Sequence, residues 1–413
     1  MDTAGAMPTD IDPRAPVRVI DPSGGANQSR VREWNERLVL SLVRRHERLP
    51  KAEIARRSGL SAQTVSVIMR ALEEDDLLSR GAPIRGKVGQ PSIPMALNPD
   101  GVFSIGLKIG RRSADLVLMD FVGGVRSLLH ETFRYPVPGS ILAFVVAGVE
   151  TLRKSLPEAG RRRIAGIGVA TPFELWNWLD EVGAPRGEMD AWRGYDLAAE
   201  IAVATGLPVH LQNDATAACG AELVFGRGRE FSDFAYFFIG SFIGGGVVLN
   251  QALYPGRTGN AGAFGSLPVP GPDGAPRQLI DCASLFVLEA RLRAAGIDPS
   301  PLWLNPDDWT DFGAVLDRWI EDTGAALAIA IASVSSVIDF EAALIDGGFP
   351  AAIRARIVAA TRAGLERLDL QGITPPVVAE AAVGSRARAI GAASLPLFAR
   401  YLTDQNVLFK EMG

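Results

Sequence analysis

The chain has 413 residues, of which 47% are hydrophobic and 22% are charged, and its net charge is −5. This length predicts two or three domains, and the composition is that of a soluble globular protein. Two cysteines and three histidines are too few for a disulfide framework or a cysteine-rich zinc site, so we expect no metal and no cofactor. Neither a membrane-length apolar run nor a signal-peptide pattern is present, which predicts a cytoplasmic protein.

The charge is unevenly distributed along the chain. Residues 30–95 contain thirteen basic and eight acidic side chains, a net charge of +5, which leaves −10 for the rest. A basic segment beside an acidic one predicts a small anion-binding domain attached to a larger domain with another task. Residues 1–29 are rich in Pro, Gly, Asp and Ser and show no apolar period, so we interpret them as a disordered tail.

Three helices are predicted between residues 34 and 76. Trp34 begins an apolar stripe on the first, Pro50 opens a second that stops at Gly59, and Ser61 is a suitable N-cap for the third. Gly59 allows a left-handed turn, and the small Ala55 lets the two helices approach closely. This pattern is typical of a helix-turn-helix.

The segment 77–99 is predicted to form a strand, a basic turn and a second strand, which is a β-hairpin wing. The alternative is a small helical bundle with a solvated basic face. A winged helix-turn-helix over residues 30–98 predicts a double-stranded operator DNA as partner. We expect a homodimer or higher homo-oligomer to bind it, because a two-fold protein matches a palindromic site. The residues expected to contact DNA phosphates are Arg44, Arg45, Arg57, Arg85 and Lys87, and those expected at the groove-facing end of the third helix are Ser61, Gln63, Thr64, Ser66, Val67 and Arg70.

From about residue 99 the pattern becomes α/β. Strands with tight turns between them occupy 103–137, and a helix and a buried strand ending near Thr171 follow. The same hairpin pattern recurs roughly 130 residues later, which predicts two similar lobes with a cleft between them.

Asn213 and Asp214 end a predicted strand where a helix begins. Polar side chains at that end of a strand face the ligand crevice of an open α/β sheet, where Asp214 can accept a hydroxyl proton. The alternative is that the pair only caps the helix. Gly-rich segments at 240–246 and 256–266 favour anion or sugar contact through the backbone, although a tight turn explains the first equally well.

Together these motifs resemble the ROK family of repressors and sugar kinases from about Trp34 onward. The first domain is similar to the repressor branch, which includes the N-acetylglucosamine and xylose repressors. The resemblance implies a two-lobed sugar-kinase/actin-like, ribonuclease H-like domain over 99–413 that binds an effector and dimerises. Asn213-Asp214-Ala215 matches the family's Asn-Asp-Ala motif, and Gly89-Gln90-Pro91 stands where the family has a minor-groove Gly-Arg-Pro segment. The implied DNA contacts therefore also include Gly89 and Gln90, and the expected effector-binding residues are Asn213, Asp214, Glu174, Arg257 and Asn260.

The departures from the family are informative. Kinases of the family open with Asp-Ile-Gly-Gly-Thr-Lys, whereas here Lys108 replaces the carboxylate and Arg111 replaces a glycine, which disfavours phosphoryl transfer. In the sugar loop Ala263 and Ser266 replace the family's Glu and zinc-binding His, and Cys282 stands alone where a cysteine cluster is expected. Either the ligand has changed or effector binding has been lost.

The resemblance implies a repressor of carbohydrate uptake or catabolism genes that is not an enzyme and is controlled by a sugar or related metabolite. An alternative is an ATP-dependent sugar kinase with Asp214 as base. A third hypothesis is a constitutive DNA-binding protein whose body only dimerises.

Overall fold

The computed structural model describes residues 28–83, 93–172, 186–271, 274–305, 308–309 and 312–403. The N-terminal part folds as three helices and a three-stranded sheet in the order β1-β3-β2. Its elements are α1 (Gln28–Arg45), β1 (Leu49–Pro50), α2 (Lys51–Ser58), α3 (Ala62–Glu74), β2 (Leu78–Arg80) and β3 (Pro94–Leu97).

The turn between α2 and α3 forms for the reasons that its sequence predicts. Gly59 adopts φ +70°, and its N–H donates to the Ala55 carbonyl at 3.1 Å. The Ser61 hydroxyl caps α3 by accepting from the Thr64 N–H at 3.1 Å. Helix α3 ends at Glu74 rather than at Asp76, because Asp76 turns the chain with φ +59°. The antiparallel pair β2–β3 supplies the hairpin of the winged helix.

The body consists of two lobes. The first contains β4 (Phe103–Ile109), β5 (Ser113–Asp120), β6 (Val125–Thr132), α4 (Pro138–Ser155), α5 (Glu158–Arg161), β7 (Ile164–Thr171), α6 (Arg186–Asp190), α7 (Leu197–Thr205), β8 (Val209–Asn213) and α8 (Asp214–Phe225). The second contains β9 (Phe234–Ile239), β10 (Ile243–Leu249), β11 (Ala252–Tyr254), β12 (Pro268–Pro270), β13 (Pro276–Gln278), α9 (Ile280–Ala283), α10 (Leu285–Ala294), α11 (Pro301–Leu304), α12 (Gly313–Ser335), β14 (Ala342–Gly347), α13 (Ala351–Leu365), β15 (Val377–Glu380) and α14 (Ala387–Arg400).

The two large sheets have the same topology. Their strand orders are β6-β5-β4-β7-β8 and β11-β10-β9-β14-β15, so each begins as an antiparallel meander and continues as a parallel pair. This equivalence confirms the predicted duplication. Helices α4 and α7 cover the outer face of the first sheet, and α10, α12 and α13 cover that of the second.

Helices α8 and α14 lie between the two sheets and pack against each other. Helix α14 approaches the first sheet so closely that a Cβ at Gly168 would lie 1.7 Å from the Ala392 carbonyl oxygen. A Cβ at Gly391 of α14 would likewise lie 2.0 Å from the Ala217 carbonyl oxygen of α8. The C-terminal helix α14 is therefore the central layer of the body.

The winged helix is fastened to the body through α1 and α14. The Arg37 guanidinium donates to the carbonyls of Phe398 and Leu402 at 2.6 Å, which satisfies the end of α14. Ser41 accepts from the Thr403 N–H at 2.8 Å. Buried residues of both parts form one continuous apolar core, so the boundary near residue 98 that we predicted from charge is not a boundary in packing. No helix in the described part of the chain is long and apolar enough to cross a membrane.

The contact between α14 and the first sheet yields a stability prediction. Gly168→Ala places a methyl group against helix backbone that cannot move without displacing α14, so we expect a loss of about 3 kcal/mol in the free energy of unfolding. Gly139→Ala is the matched control, because its Cβ would meet no atom within 4 Å. Chemical denaturation of both variants measures the difference, and equal stabilities would contradict the proposed packing constraint.

Candidate functional site

The exposed face of α3 carries the residues that we expect to read DNA. Gln63, Val67 and Arg70 are exposed, whereas Val65, Ile68 and Met69 fill the core on the opposite side. Val67 retains 58% of its surface. An exposed apolar side chain between polar ones fits the major groove, where thymine presents a methyl group beside hydrogen-bonding base edges. The remaining predicted residues of this face are Ser61, which is exposed, and Thr64 and Ser66, which are partly exposed.

The predicted phosphate-contacting arginines that the structure describes differ in their surroundings. Arg45 and Arg57 are exposed, and Arg57 is held by Glu53 and His46. The structure places Arg44 instead against the body, with its guanidinium 4.5 Å from the centre of the Phe225 ring. Arg44 is therefore not positioned to contact DNA phosphates. Arg85, Lys87, Gly89 and Gln90 lie outside the described residues.

A cavity of about 220 Å³ opens between the lobes at the carboxyl end of β8. Asn213, Asp214 and Asn260 all line it, as do Ala263 and Ser266 of the Gly-rich loop. Arg257 is exposed and does not line this cavity, and Glu174 falls outside the described residues. The structure thus brings together three of the five predicted effector-binding residues.

Asn213 and Asp214 are both engaged within the protein. The Asn213 Oδ1 accepts from the backbone N–H groups of Ala215 and Thr216 at 3.1 and 3.2 Å, which caps α8. The Asp214 carboxylate accepts from the Arg388 guanidinium at 3.1 Å. Arg388 lies at the start of α14 and stacks 4.9 Å over the Phe238 ring. Sequence reasoning missed Arg388, because no local motif marks a residue that comes from 174 positions away.

A second cavity of about 300 Å³ lies next to the cavity at Asn213 and Asp214. Its lining includes Lys108, Arg111 and Arg112. The Lys108 ammonium donates to the Ser113 hydroxyl at 3.0 Å and lies 3.2 Å from Asp115. Burial lowers the pKa of Lys108, and Asp115 opposes this shift. Burial also raises the pKa of Asp115, but the charges of Lys108 and His130 outweigh it and hold that pKa below its usual range.

A buried ion pair joins the two lobes across this cavity. Arg111 of the first lobe meets Glu289 of α10, and both side chains are almost fully buried. Glu289 also binds Arg293 at 2.7 Å and lies 3.5 Å from Arg112. The carboxylate therefore compensates several arginines at once, and the pair fastens the lobes together at the floor of the cleft.

The Gly-rich segment 240–246 is not one continuous phosphate-binding loop. Its turn is confined to residues 240–242, and Gly244, Gly245 and Gly246 lie within β10. A Cβ at Gly246 would lie 2.5 Å from the Cβ of Cys219, so this glycine lets α8 approach the strand.

The Asp346 carboxylate, near the end of β14, is bound within the protein. It accepts from the Tyr236 hydroxyl at 3.1 Å and from the Arg354 guanidinium at 3.2 Å.

Sequence profiles identify both parts of the chain. The winged helix-turn-helix DNA-binding profile matches residues 35–79, and the ROK family profile matches residues 104–284. The xylose repressor of Bacillus spizizenii is 25% identical over 244 residues, which are 59% of this chain and 62% of that protein. The matched region thus spans less than two thirds of the length of this repressor.

The chain carries a ROK family domain behind an N-terminal winged helix-turn-helix.

Solved structures share the architecture of this chain. A ROK family transcriptional regulator, a homologue of the Escherichia coli MLC protein, superposes with a TM-score of 0.64 at 20% identity and covers 90% of this chain and 97% of that one. A ROK family glucokinase from Streptomyces griseus in complex with glucose and AMPPNP gives 0.56 at 22% identity over 71% of this chain and 98% of that one. At these identities the likeness shows the fold alone.

The two cysteines and the loop at 256–266 bear on whether the chain has a metal or sugar site. Within the described ranges, no group of three His, Cys, Asp or Glu residues is arranged to hold a metal ion. Cys219 and Cys282 are free and buried, and burial raises the pKa of both thiols. Phe264 of the altered sugar loop stacks 4.5 Å from the Phe237 ring, so this loop is held by apolar packing.

The pair between the lobes makes a second stability prediction. Glu289→Gln removes the buried carboxylate that compensates Arg111, Arg112 and Arg293, so we expect a loss of about 3 kcal/mol in the free energy of unfolding. Replacing Arg111 and Glu289 together by methionine should recover most of this loss. Glu158→Gln removes the exposed pair with Arg162 and serves as the control, with an expected effect below about 1 kcal/mol. Equal effects at positions 289 and 158 would contradict the role given to the buried pair.

Proposed function

We propose that the protein is a DNA-binding transcriptional regulator that represses carbohydrate uptake or catabolism genes and responds to a sugar-like metabolite. One observation carries the proposal. The exposed recognition helix α3 occurs together with a cleft between the lobes in which Lys108 pairs with Asp115 and Arg111 pairs with Glu289. The cleft keeps a ligand-sized cavity at Asp214, while Lys108 and Arg111 occupy the positions where phosphoryl transfer requires a carboxylate and a glycine.

In this proposal the part of α3 from its start to Arg70 enters the major groove. Gln63 pairs with adenine, Arg70 pairs with guanine, and Val67 contacts a thymine methyl group. Arg45 and Arg57, with Arg85 and Lys87 of the wing, neutralise phosphates, and Gly89 and Gln90 approach the minor groove. The acidic residues at the end of α3 and just after it stay away from DNA, because phosphates repel carboxylates. Glu73 pairs instead with Arg80, and Asp76 pairs with Arg163 of the body. A homodimer presents two such helices to a palindromic operator.

The effector is expected in the cavity at Asn213, Asp214 and Asn260. Glu174 and Arg257 remain further candidates from the sequence. A sugar hydroxyl that bonds to Asp214 competes with Arg388, which is the second residue of α14. The far end of α14 is held by Arg37 of the winged helix. A ligand that changes the position of α14 therefore changes the position of the winged helix, and in a dimer it changes the spacing of the two recognition helices.

The DNA contacts make a direct prediction. Arg70→Ala should weaken binding to the cognate operator by about 1–3 kcal/mol and relax the preference at one base pair, because a bidentate guanine contact is lost. Arg162→Ala, an exposed arginine of the body, should leave operator binding unchanged. Electrophoretic shift assays with selected genomic fragments, competed by nonspecific DNA, measure both affinities. Absence of any sequence-selective binding by the wild type at moderate salt would reject the proposed function.

The effector site makes a separate prediction. A member of a panel of pentoses, hexoses and their phosphates should raise the melting temperature, because ligands that bind only the folded state stabilise it. Asn260→Ala should reduce the shift at least several-fold, whereas Arg193→Ala, exposed and distant from the cavity, should not. Operator binding without a shift by any compound would favour a constitutive DNA-binding protein whose body only dimerises.

An ATP-dependent sugar kinase remains the alternative function, because Asp214 lies at the cleft in a fold shared with a ROK glucokinase. The pair between Asp214 and Arg388 opposes this alternative, since a general base must be free to take the hydroxyl proton. Sugar-dependent ADP release that Asp214→Asn abolishes would establish the kinase.

A further inference from the structure

A cavity of about 270 Å³ lies where the winged helix meets the body. Residues from α1, α8, the β10–β11 hairpin and α14 line it together. Thr216 of α8 is the one described residue that borders both this cavity, which we call the junction cavity, and the effector cavity between the lobes. The junction cavity is therefore a separate site whose walls belong to both the winged helix and the body.

One side of the junction cavity is cationic. Arg44, Arg45 and Arg229 line it, and none of its described lining residues is Asp or Glu. The nearest acidic contact of Arg229 is Glu47, which is 82% exposed and lies 3.9 Å away. Three positive charges without a lining carboxylate make this side a site for an anion.

Arg44 provides the second observation. Its Nη2 atom is buried and has no hydrogen-bond partner among the residues that the structure describes. Burial lowers the pKa of Arg44 to about 9, and the neighbouring charge of Arg229 contributes to this shift. A buried charged donor without a partner is costly, so the site gains when an acceptor enters. An anion beside Arg44 supplies both the acceptor and the missing counter-charge.

Much of the remaining lining of the junction cavity is apolar. It includes Leu223, Leu253, Leu395 and Phe398, and the Phe225 and Phe398 rings lie against the Arg44 guanidinium. Polar groups beside them come from Ser41, Gln212, Thr216, Gln251 and Thr403. The apolar part of the lining suits a ring or a short hydrocarbon chain.

We infer that the junction cavity binds a small amphipathic carboxylate, whose charged end meets Arg44 and Arg229 and whose apolar body packs against Leu253 and Phe398. The ligand bridges α1 to α8 and α14, so it stabilises one placement of the winged helix on the body. This regulatory consequence rests on the proposed DNA-binding function, whereas binding of the carboxylate does not. Such a site gives the protein a second input, distinct from the effector cavity.

The test uses the full chain and phenylacetate as the probe, with phenylacetamide as its uncharged analogue of the same shape. Isothermal titration should show saturable binding of phenylacetate, and phenylacetamide should bind at least tenfold more weakly. Inorganic phosphate at the same concentration controls for a nonspecific effect on an arginine cluster. Arg44→Met should weaken phenylacetate binding at least tenfold, whereas Arg32→Met, exposed on the same helix, should leave it unchanged.

A second variant, Gly220→Leu, tests the same cavity in case Arg44→Met does not fold. Gly220 lines the junction cavity within α8, and a Cβ there would meet no described atom within 4 Å. Leucine also favours a helix more than glycine does, so this variant should fold and should abolish binding by filling the cavity. Equal binding of phenylacetamide, an equal response to phosphate, or unchanged binding by Gly220→Leu would each overturn the inference. Loss of operator binding with phenylacetate binding intact would reject only the DNA-binding function.

Discussion

The backbone contact between α14 and the first sheet is the constraint on which the rest of the structure depends. At Gly106 and Gly168 a single methyl group would overlap helix backbone, and Gly391 brings α14 equally close to α8. Only glycine permits such approach, because every other residue would hold the layers apart. The result is a compact stack in which one helix contacts the first sheet, the partner helix α8 and, through Arg37, the winged helix. Helix α14 thus connects the two lobes of the body to the winged helix.

The electrostatics of the cleft follow from substitutions that would be destructive in a kinase. Lys108 and Arg111 would repel a metal ion, and here they are compensated by Asp115 and Glu289 instead. Since a buried charge persists only when it is paired, these replacements required their partners in the same fold. What remains is a cavity at Asn213 and Asp214 that is lined by polar groups, beside a second cavity at which Arg111 and Glu289 join the two lobes.

Much of the fold was predictable because its signals are local. The alternation of apolar residues placed the strands of both sheets, and Gly59 and Ser61 marked the turn and the start of α3. The repeated hairpin pattern predicts two lobes, and the two large sheets have equivalent strand orders. The cluster of Asn213, Asp214 and Asn260 was partly predictable, because Asn213 and Asp214 lie where β8 ends and α8 begins. Arg388 was not, because it reaches Asp214 from another element of the chain.

By itself, the sequence determined the element order, the winged helix-turn-helix and the loss of the kinase carboxylate at Lys108. These depend on residue type and short spacing, which act within a few turns of the chain. Tertiary structure alone decided that α14 is the central layer, that Arg111 joins the lobes through Glu289, and that Arg44 turns from DNA to the body. Each of these outcomes depends on which distant residue a side chain meets, and that partner exists only once the chain has folded.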